Sequence, residues 1–214
     1  MSQSSRPAPE RLWIILIDAG SLLQLPQAQQ WRDHALLPAL GALAGVRELR
    51  AYCAFNLPEL AVLAQLAEGA DLNALSATSL QLPPGVRLRQ DFVQPSFEHV
   101  QTGVTQPQEA GLLYSVRFVV PPAWHDEFDR WYEQEHIPMI YGCKDWAMSR
   151  RYRFAVPGAN TATHLALHWL SDARALDAPE LRAARATPWR RKFLGERWVT
   201  DVDKMIYFRQ RLPA

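Results

Sequence analysis

The chain has 214 residues, 48% hydrophobic and 21% charged, with a formal net charge of +1 at pH 7. That balance is ordinary for a soluble globular protein and offers nothing to a nucleic acid or an anionic membrane. The longest apolar run, "LWIILI", is far too short to span a bilayer, and Cys53 and Cys143 alone make no disulfide framework. "MSQSSRPAPER" has no apolar core of an export signal, so residues 1–10 are expected to be a frayed tail and a reducing cytoplasm is the expected compartment.

In chain order, "LWIILID" predicts a strand, "AQQWRDHALLPALGAL" a helix and "VRELRAYCAF" a second strand. "LAVLAQL" follows as a third strand, "DLNALSATSL" as a short helix and "DFVQPSFEHV" as a fourth strand. The polar stretch 102–110 reads as a linker. Beyond it, "LLYSVRFVV" predicts a strand and "PPAWHDEFDRWYEQEHIPMI" a helix opened by proline, with acidic residues in its first turns. "WAMSRRYRF" is a strand, "AVPGANTAT" a turn and "HLALHWL" another strand. "SDARALDAPELRAARAT" is helical, with Ser171 and Asp172 as cap candidates and a break at Pro179; "DVDKMIYFRQR" closes as a strand.

The order βαββαβ therefore occurs twice, in units 11–101 and 111–212, and the halves share a pattern at a shift of 100 residues. "WRDHALLPAL" (31–40) lies under "WYEQEHIPMI" (131–140), matching Trp31 with Trp131 and Pro38 with Pro138, while Ala35 and Leu36 stand in for Glu135 and His136. The same shift sets "LWIILI" on "LLYSVR" and matches Arg50 with Arg150 and Tyr52 with Tyr152. One such sheet covers one face with its helices and leaves the other bare. The expected fold is α+β: two tandem ferredoxin-like units forming an intramolecular, pseudo-dimeric α/β barrel. Polar chemistry gathers in the second half. Residues 1–110 carry 7 Lys/Arg and 10 Asp/Glu, residues 111–214 carry 16 and 12, and four of the six histidines lie in the latter.

"FDRWYEQEHIPMIYGCKDWAMSRRYR" resembles the EthD-type members of the dimeric α/β-barrel superfamily, which carry an aromatic pair, an acidic residue and "EH-x-P" on the first helix before an "RRY"-like strand. The likeness spans Tyr114 to Tyr207, about half of the chain; the first half lacks the motif. It implies a pocket between the sheet and its own helices, lined by acid–base groups. The superfamily holds cyclases, dehydratases, decarboxylases, isomerases, monooxygenases and haem enzymes, so the fold alone names no reaction.

Helical spacing puts Phe128, Trp131, Tyr132 and Glu135 on one stripe with His136 at its edge. On the functional reading Glu135 tunes His136, which moves a proton, and Tyr132 holds a substrate oxygen. Trp131, Phe128, Tyr114, Arg151 and His168 would contact the substrate. On the structural reading, Glu135 and His136 cap the loop where Pro138 stops the helix, and Trp131 is core. On "HLALHWL" the more apolar face (Leu165, Leu167, Trp169) is expected to meet the helices, leaving His164 and His168 in the barrel seam, where His168 with Arg117 or Arg151 could take an anion. No set of residues has metal-ligand spacing, and neither His136 nor His168 has flanks favouring haem, so no metal and no cofactor are expected. The expected function is a cofactor-free enzyme moving a proton on a small aromatic or polyketide-like molecule. A non-catalytic small-molecule binding or stress-accessory protein is the alternative, as a monomer or a homodimer.

Overall fold

Residues 11–76, 80–155 and 162–212 are described by the computed structural model. The predicted tail 1–10, the end of "DLNALSATSL" and most of the turn "AVPGANTAT" lie outside them.

Eight strands form a closed barrel: β1 (Leu12–Asp18), β2 (Val46–Ala54), β3 (Glu59–Leu66), β4 (Arg87–Val100), β5 (Leu112–Phe118), β6 (Trp146–Phe154), β7 (His164–Leu170) and β8 (Asp203–Gln210). The ring order is β1-β3-β2-β8-β5-β7-β6-β4, and every pairing is antiparallel. Within each half the order is second, third, first, fourth strand, the ferredoxin-like arrangement. The halves join where the fourth strand of one meets the second strand of the other, at β4–β6 and β2–β8. The fold is thus the expected barrel of two units.

Helices α1 (Leu25–Trp31) and α2 (Leu37–Gly41) follow β1, and the short α3 (Leu72–Ser76) follows β3. In the second half α4 (His125–Trp131) and α5 (Ile137–Ile140) follow β5. Three short helices follow β7: α6 (Pro179–Arg185), α7 (Pro188–Arg191) and α8 (Arg197–Thr200). The expected break falls at Pro179, which opens α6 after a helical turn at Ala173–Asp177, and Asp172 caps that turn by accepting from the Arg174 N–H.

A π turn joins α1 to α2 (Arg32–Leu36) and another joins α4 to α5 (Tyr132–His136), 100 residues apart. Leu37 N–H donates to the Arg32 carbonyl and Ile137 N–H to that of Tyr132, each five residues back. A proline within a helix lacks a donor and crowds the carbonyl four residues earlier. The widened turn just before Pro38 and Pro138 lets the chain stay helical, so Pro138 does not end the helix as the capping reading required. Because both halves share the π turn, it follows the proline and not the ionisable pair.

Three apolar layers result. The barrel interior is shared by both halves and includes Ile14, Leu63, Leu113, Leu165, Leu167 and Trp169. The other two layers lie between each half's strands and its own helices. The face assignment on β7 is therefore the reverse of the expectation. Leu165, Leu167 and Trp169 fill the interior, and His164 and His168 share the other face with Ala166 and Leu170, on the side of the helices. A closed barrel offers its interior few polar partners, whereas the helix side brings Asp129 and Tyr132 to the histidines.

The uniform shift of 100 also fails in one strand. Register places Leu16 opposite Ala61, and Arg117 opposite Leu165, while Tyr52–Ala61 and Tyr152–Leu165 are equivalent pairs. The first strands thus correspond at a shift of 101, with one more residue in the first half's β1–α1 connection. A one-residue slip reverses every side chain. "LWIILI" is apolar on both faces, so its phase was not readable from pattern.

Inside the barrel Arg117 donates to Asp91 at 2.7 Å, both buried. Arg117→Met should cost about 3 kcal/mol in denaturant unfolding, because it strands a buried carboxylate, and adding Asp91→Leu should restore most of the loss.

Candidate functional site

A cleft opens between the second half's strands and helices. The enclosed cavity is small, about 60 Å³, within about 570 Å³ of open space once the mouth is counted. Its walls come from β5 (Tyr114, Val116, Phe118), from α4 and the π turn (Phe128, Trp131, Tyr132, His136), and from Trp146 and His168 of β6 and β7. The segment after β7 closes it with Leu181, Phe193 and Trp198, and with Arg185 and Arg190; Lys204 of β8 completes the rim.

Alternation along β5 and helical spacing along α4 bring these groups together. His136 lies between two aromatic rings, 4.9 Å from Trp131 and 4.7 Å from Tyr132 between centroids. His168 stacks between Tyr114 (5.9 Å) and Tyr132 (6.3 Å), with Trp146 edge-on at 5.0 Å.

Burial, the largest cause, pushes the His136 imidazole down to about 3; Arg185, Arg190 and Arg151 add to this, while a hydrogen bond to the Ala184 backbone opposes it. Its Nδ1 has no hydrogen-bond partner. The ring is therefore neutral at physiological pH, with one nitrogen free. Burial, with help from His136 and Arg151, also holds His168 well below the ordinary histidine value. Burial pushes the Tyr114 and Tyr132 hydroxyls up, so both stay protonated.

His168 has both nitrogens engaged. Nε2 lies 3.1 Å from the Tyr132 hydroxyl and Nδ1 2.7 Å from the Ser149 hydroxyl. Ser149 Oγ is 3.1 Å from the Tyr141 hydroxyl, which donates to the His99 carbonyl at 2.9 Å. The carbonyl can only accept, so it takes the Tyr141 proton. Ser149 then donates either to Tyr141 or to His168, and the His168 tautomer follows. In one arrangement Tyr132 donates to His168; in the other it accepts and its own proton is free for a ligand.

Glu135 and Arg151 stand apart from the cleft wall. Glu135 accepts from the Thr187 hydroxyl at 2.7 Å, and Thr187 caps α7 by accepting from the Arg190 N–H. Adjacent helical residues diverge, and no hydrogen bond joins Glu135 to His136; Glu135 anchors the segment that closes the cleft. Arg151 is buried with its guanidinium bound to Asp129 (2.5 Å) and Glu133 (2.7 Å), beneath the Tyr132 ring at 4.7 Å. It supports the aromatic stripe from behind. Arg117, paired inside the barrel, faces away from His168.

Sequence reasoning missed Ser149, Tyr141, Trp146, Trp198, Phe193, Arg185, Arg190 and Lys204. The one available signal was the three large rings Trp189, Phe193 and Trp198 within ten residues, in a stretch (188–200) to which no element was assigned from sequence. Among the described residues no group of three His, Cys, Asp or Glu could hold a metal ion, and of the two histidines weighed for haem only His136 has a free nitrogen.

In the first half the same layer is packed. By register and helix position Trp13 stands for Tyr114, Ala64 for His168, Arg32 for Tyr132 and Leu36 for His136. Leu36 is 1% exposed, in one cluster with Trp13 and Ala64.

No protein-family model matches the chain, and no curated protein matches it. Solved structures do. An anthrone oxidase-like protein matches with TM-score 0.71 at 11% identity, over 96% of this chain and 93% of that one. A candidate monooxygenase from Fusobacterium nucleatum matches with TM-score 0.58 at 10% identity, over 94% and 93%. An uncharacterised ferredoxin-fold protein from Listeria monocytogenes, related to antibiotic biosynthesis monooxygenases, matches with TM-score 0.52 at 11% identity, over 96% and 97%. Identities this low bear on the fold alone: it is that of the ferredoxin-like, dimeric α/β-barrel proteins. No helix among the described residues is long and apolar enough to cross a membrane.

His136, His164 and His168 are all held neutral by burial, whereas in the unfolded chain they titrate near 6.5. Below about pH 6.5 the unfolded chain therefore binds more protons, so stability is full above that pH and declines as pH falls toward 3. Denaturant midpoints measured from pH 7.5 to 4.5 should fall steeply, and His136→Leu should make the decline shallower.

Proposed function

We propose that the second half is the active unit of a cofactor-free, EthD-like enzyme that moves a proton on a small oxygenated aromatic or polyketide-like molecule. The first half would be its degenerate tandem copy, kept for barrel closure. One observation carries this reading. Nine buried side-chain polar atoms lack a hydrogen-bond partner among the described residues, and four of them gather in this one cleft wall: Nε1 of Trp131, Trp146 and Trp198, and Nδ1 of His136. A buried indole N–H ordinarily finds a partner, and each unmet group costs about 1–3 kcal/mol. Four in one wall suit a ligand that brings oxygens to the donors and a proton to the imidazole.

In this reading Phe128, Trp131 and Tyr114 hold the ring, Tyr132 donates to a substrate oxygen, and Nδ1 of His136 accepts the proton that leaves. His168, through Ser149 and Tyr141, sets which way the Tyr132 hydroxyl points. Glu135 and Arg151 act on the frame and not on the substrate.

The low His136 value favours a second reading, a binding protein that never accepts the proton, since a base is most effective when its pKa lies near the working pH. Proton exchange separates the two. With 2-indanone, an aromatic ketone with acidic α-hydrogens, in deuterium oxide, wild type should speed α-exchange seen by NMR. His136→Leu should lose about 100-fold or more of that acceleration. Exchange at the buffer rate, with 2-indanone bound, would leave the binding reading; no binding would remove both.

A further inference from the structure

We infer that the mouth of this cleft is an anion subsite, formed by Arg185, Arg190 and Lys204, and that the ligand is an aromatic acid or a molecule that becomes an enolate or phenolate when bound. The inference rests on the cleft reading above and specifies its ligand class. Arg117, Arg130, Arg150, Arg151, Arg153, Arg174, Lys192 and Arg209 are each ion-paired with a carboxylate. Arg185, Arg190 and Lys204 have no carboxylate partner among the described residues, which is equally true of Lys144, Arg182, Arg191, Arg197 and Arg211; the three differ from those in lining one cleft together. They come from three elements, the neighbouring helices α6 and α7 and the strand β8, and all three line this cleft.

Their mutual placement costs energy in the empty protein. Partial burial is the larger cause that disfavours the charged forms of Arg190 and Lys204; repulsion from Arg185 adds to it on both, and repulsion from Arg190 adds on Lys204. No carboxylate offsets this. Arg185 instead reaches the hydroxyl of Tyr114, a wall residue, which ties the rim to the ring-binding floor. A solvated charged surface has no reason to point three like charges at one opening, whereas an anion held there would be stabilised by all three and would remove their repulsion.

The arrangement also bears on His136. Arg185 and Arg190 are among the charges that disfavour its protonated form, after burial. An anion on the rim cancels them and gives an imidazolium a counter-charge, so the same ligand that fills the subsite prepares His136 to accept a proton. A neutral ligand of the same shape does neither.

Two probes of nearly equal shape test the subsite, 3-phenylpropionate and its uncharged amide, 3-phenylpropionamide, titrated by calorimetry into wild type and the double variant Arg185→Gln/Arg190→Gln. The acid should bind wild type about ten-fold or more tightly than the amide, and its affinity should fall as salt rises. The double variant should lose about that ten-fold for the acid while changing by less than two-fold for the amide, which shows that the cleft is intact. Lys204→Gln should weaken the acid alone, to a smaller extent. Equal affinity of acid and amide for wild type, or an acid affinity indifferent to the substitutions, would overturn the anion subsite and leave the cleft as a neutral-ligand site. Failure of wild type to bind either probe would overturn the cleft reading and the subsite together.

Discussion

Everything in this structure depends on closing the barrel. A four-stranded ferredoxin-like sheet has two open edges and one uncovered face, and both must be dealt with before it is stable in water. Here the fourth strand of each half pairs with the second strand of the other, at β4–β6 and β2–β8, which removes every edge at once. The same closure presses the two uncovered faces together as an interior of Leu, Ile and Trp side chains drawn from both halves.

That interior then dictates where chemistry can go. The polar groups inserted there are taken up by one another, Arg117 with Asp91 and Arg150 with Glu98. The cleft of the second half lies in a layer between strands and helices, and the two halves use these layers differently. In the first, Trp13, Leu36 and Ala64 pack the layer with apolar groups. In the second, Tyr114, His136 and His168 occupy the matching places, and the segment from α6 to α8 roofs a cleft over them. The stability of the barrel is thus carried by both halves, while in the second a group of unsatisfied polar atoms gathers around one cleft. A chain with a single unit would have to do both with the same residues.

Much of the fold was legible because it is written in local patterns. Element order, the matched Trp31 and Trp131, and the matched Pro38 and Pro138 all follow from spacing and turn chemistry. The failures share one cause. The phase of "LWIILI" is hidden because both of its faces are buried, so alternation carries no information. The direction of His164 and His168 could not be read from β7 alone, because the partners that accommodate them, Asp129 and Tyr132, sit on the helical segment 35 and 36 residues earlier. The Glu135–His136 pair looked like one chemical unit because the residues are neighbours in sequence, yet on the helix they diverge, and Glu135 bonds Thr187 while His136 enters the cleft.

By itself the sequence determined the class of fold, the equivalence of the two first helices, and which of them carries the Glu135–His136 pair, since these depend on side-chain periodicity and on residue types that no context can change. Tertiary structure alone decided that Arg151 is a buried support, that Ser149 and Tyr141 orient His168, and that Arg185, Arg190 and Lys204 converge on one rim. The physical reason is that burial and charge pairing are properties of a place in three dimensions. A lone arginine and a paired one are the same letter until the fold brings, or fails to bring, a carboxylate to it.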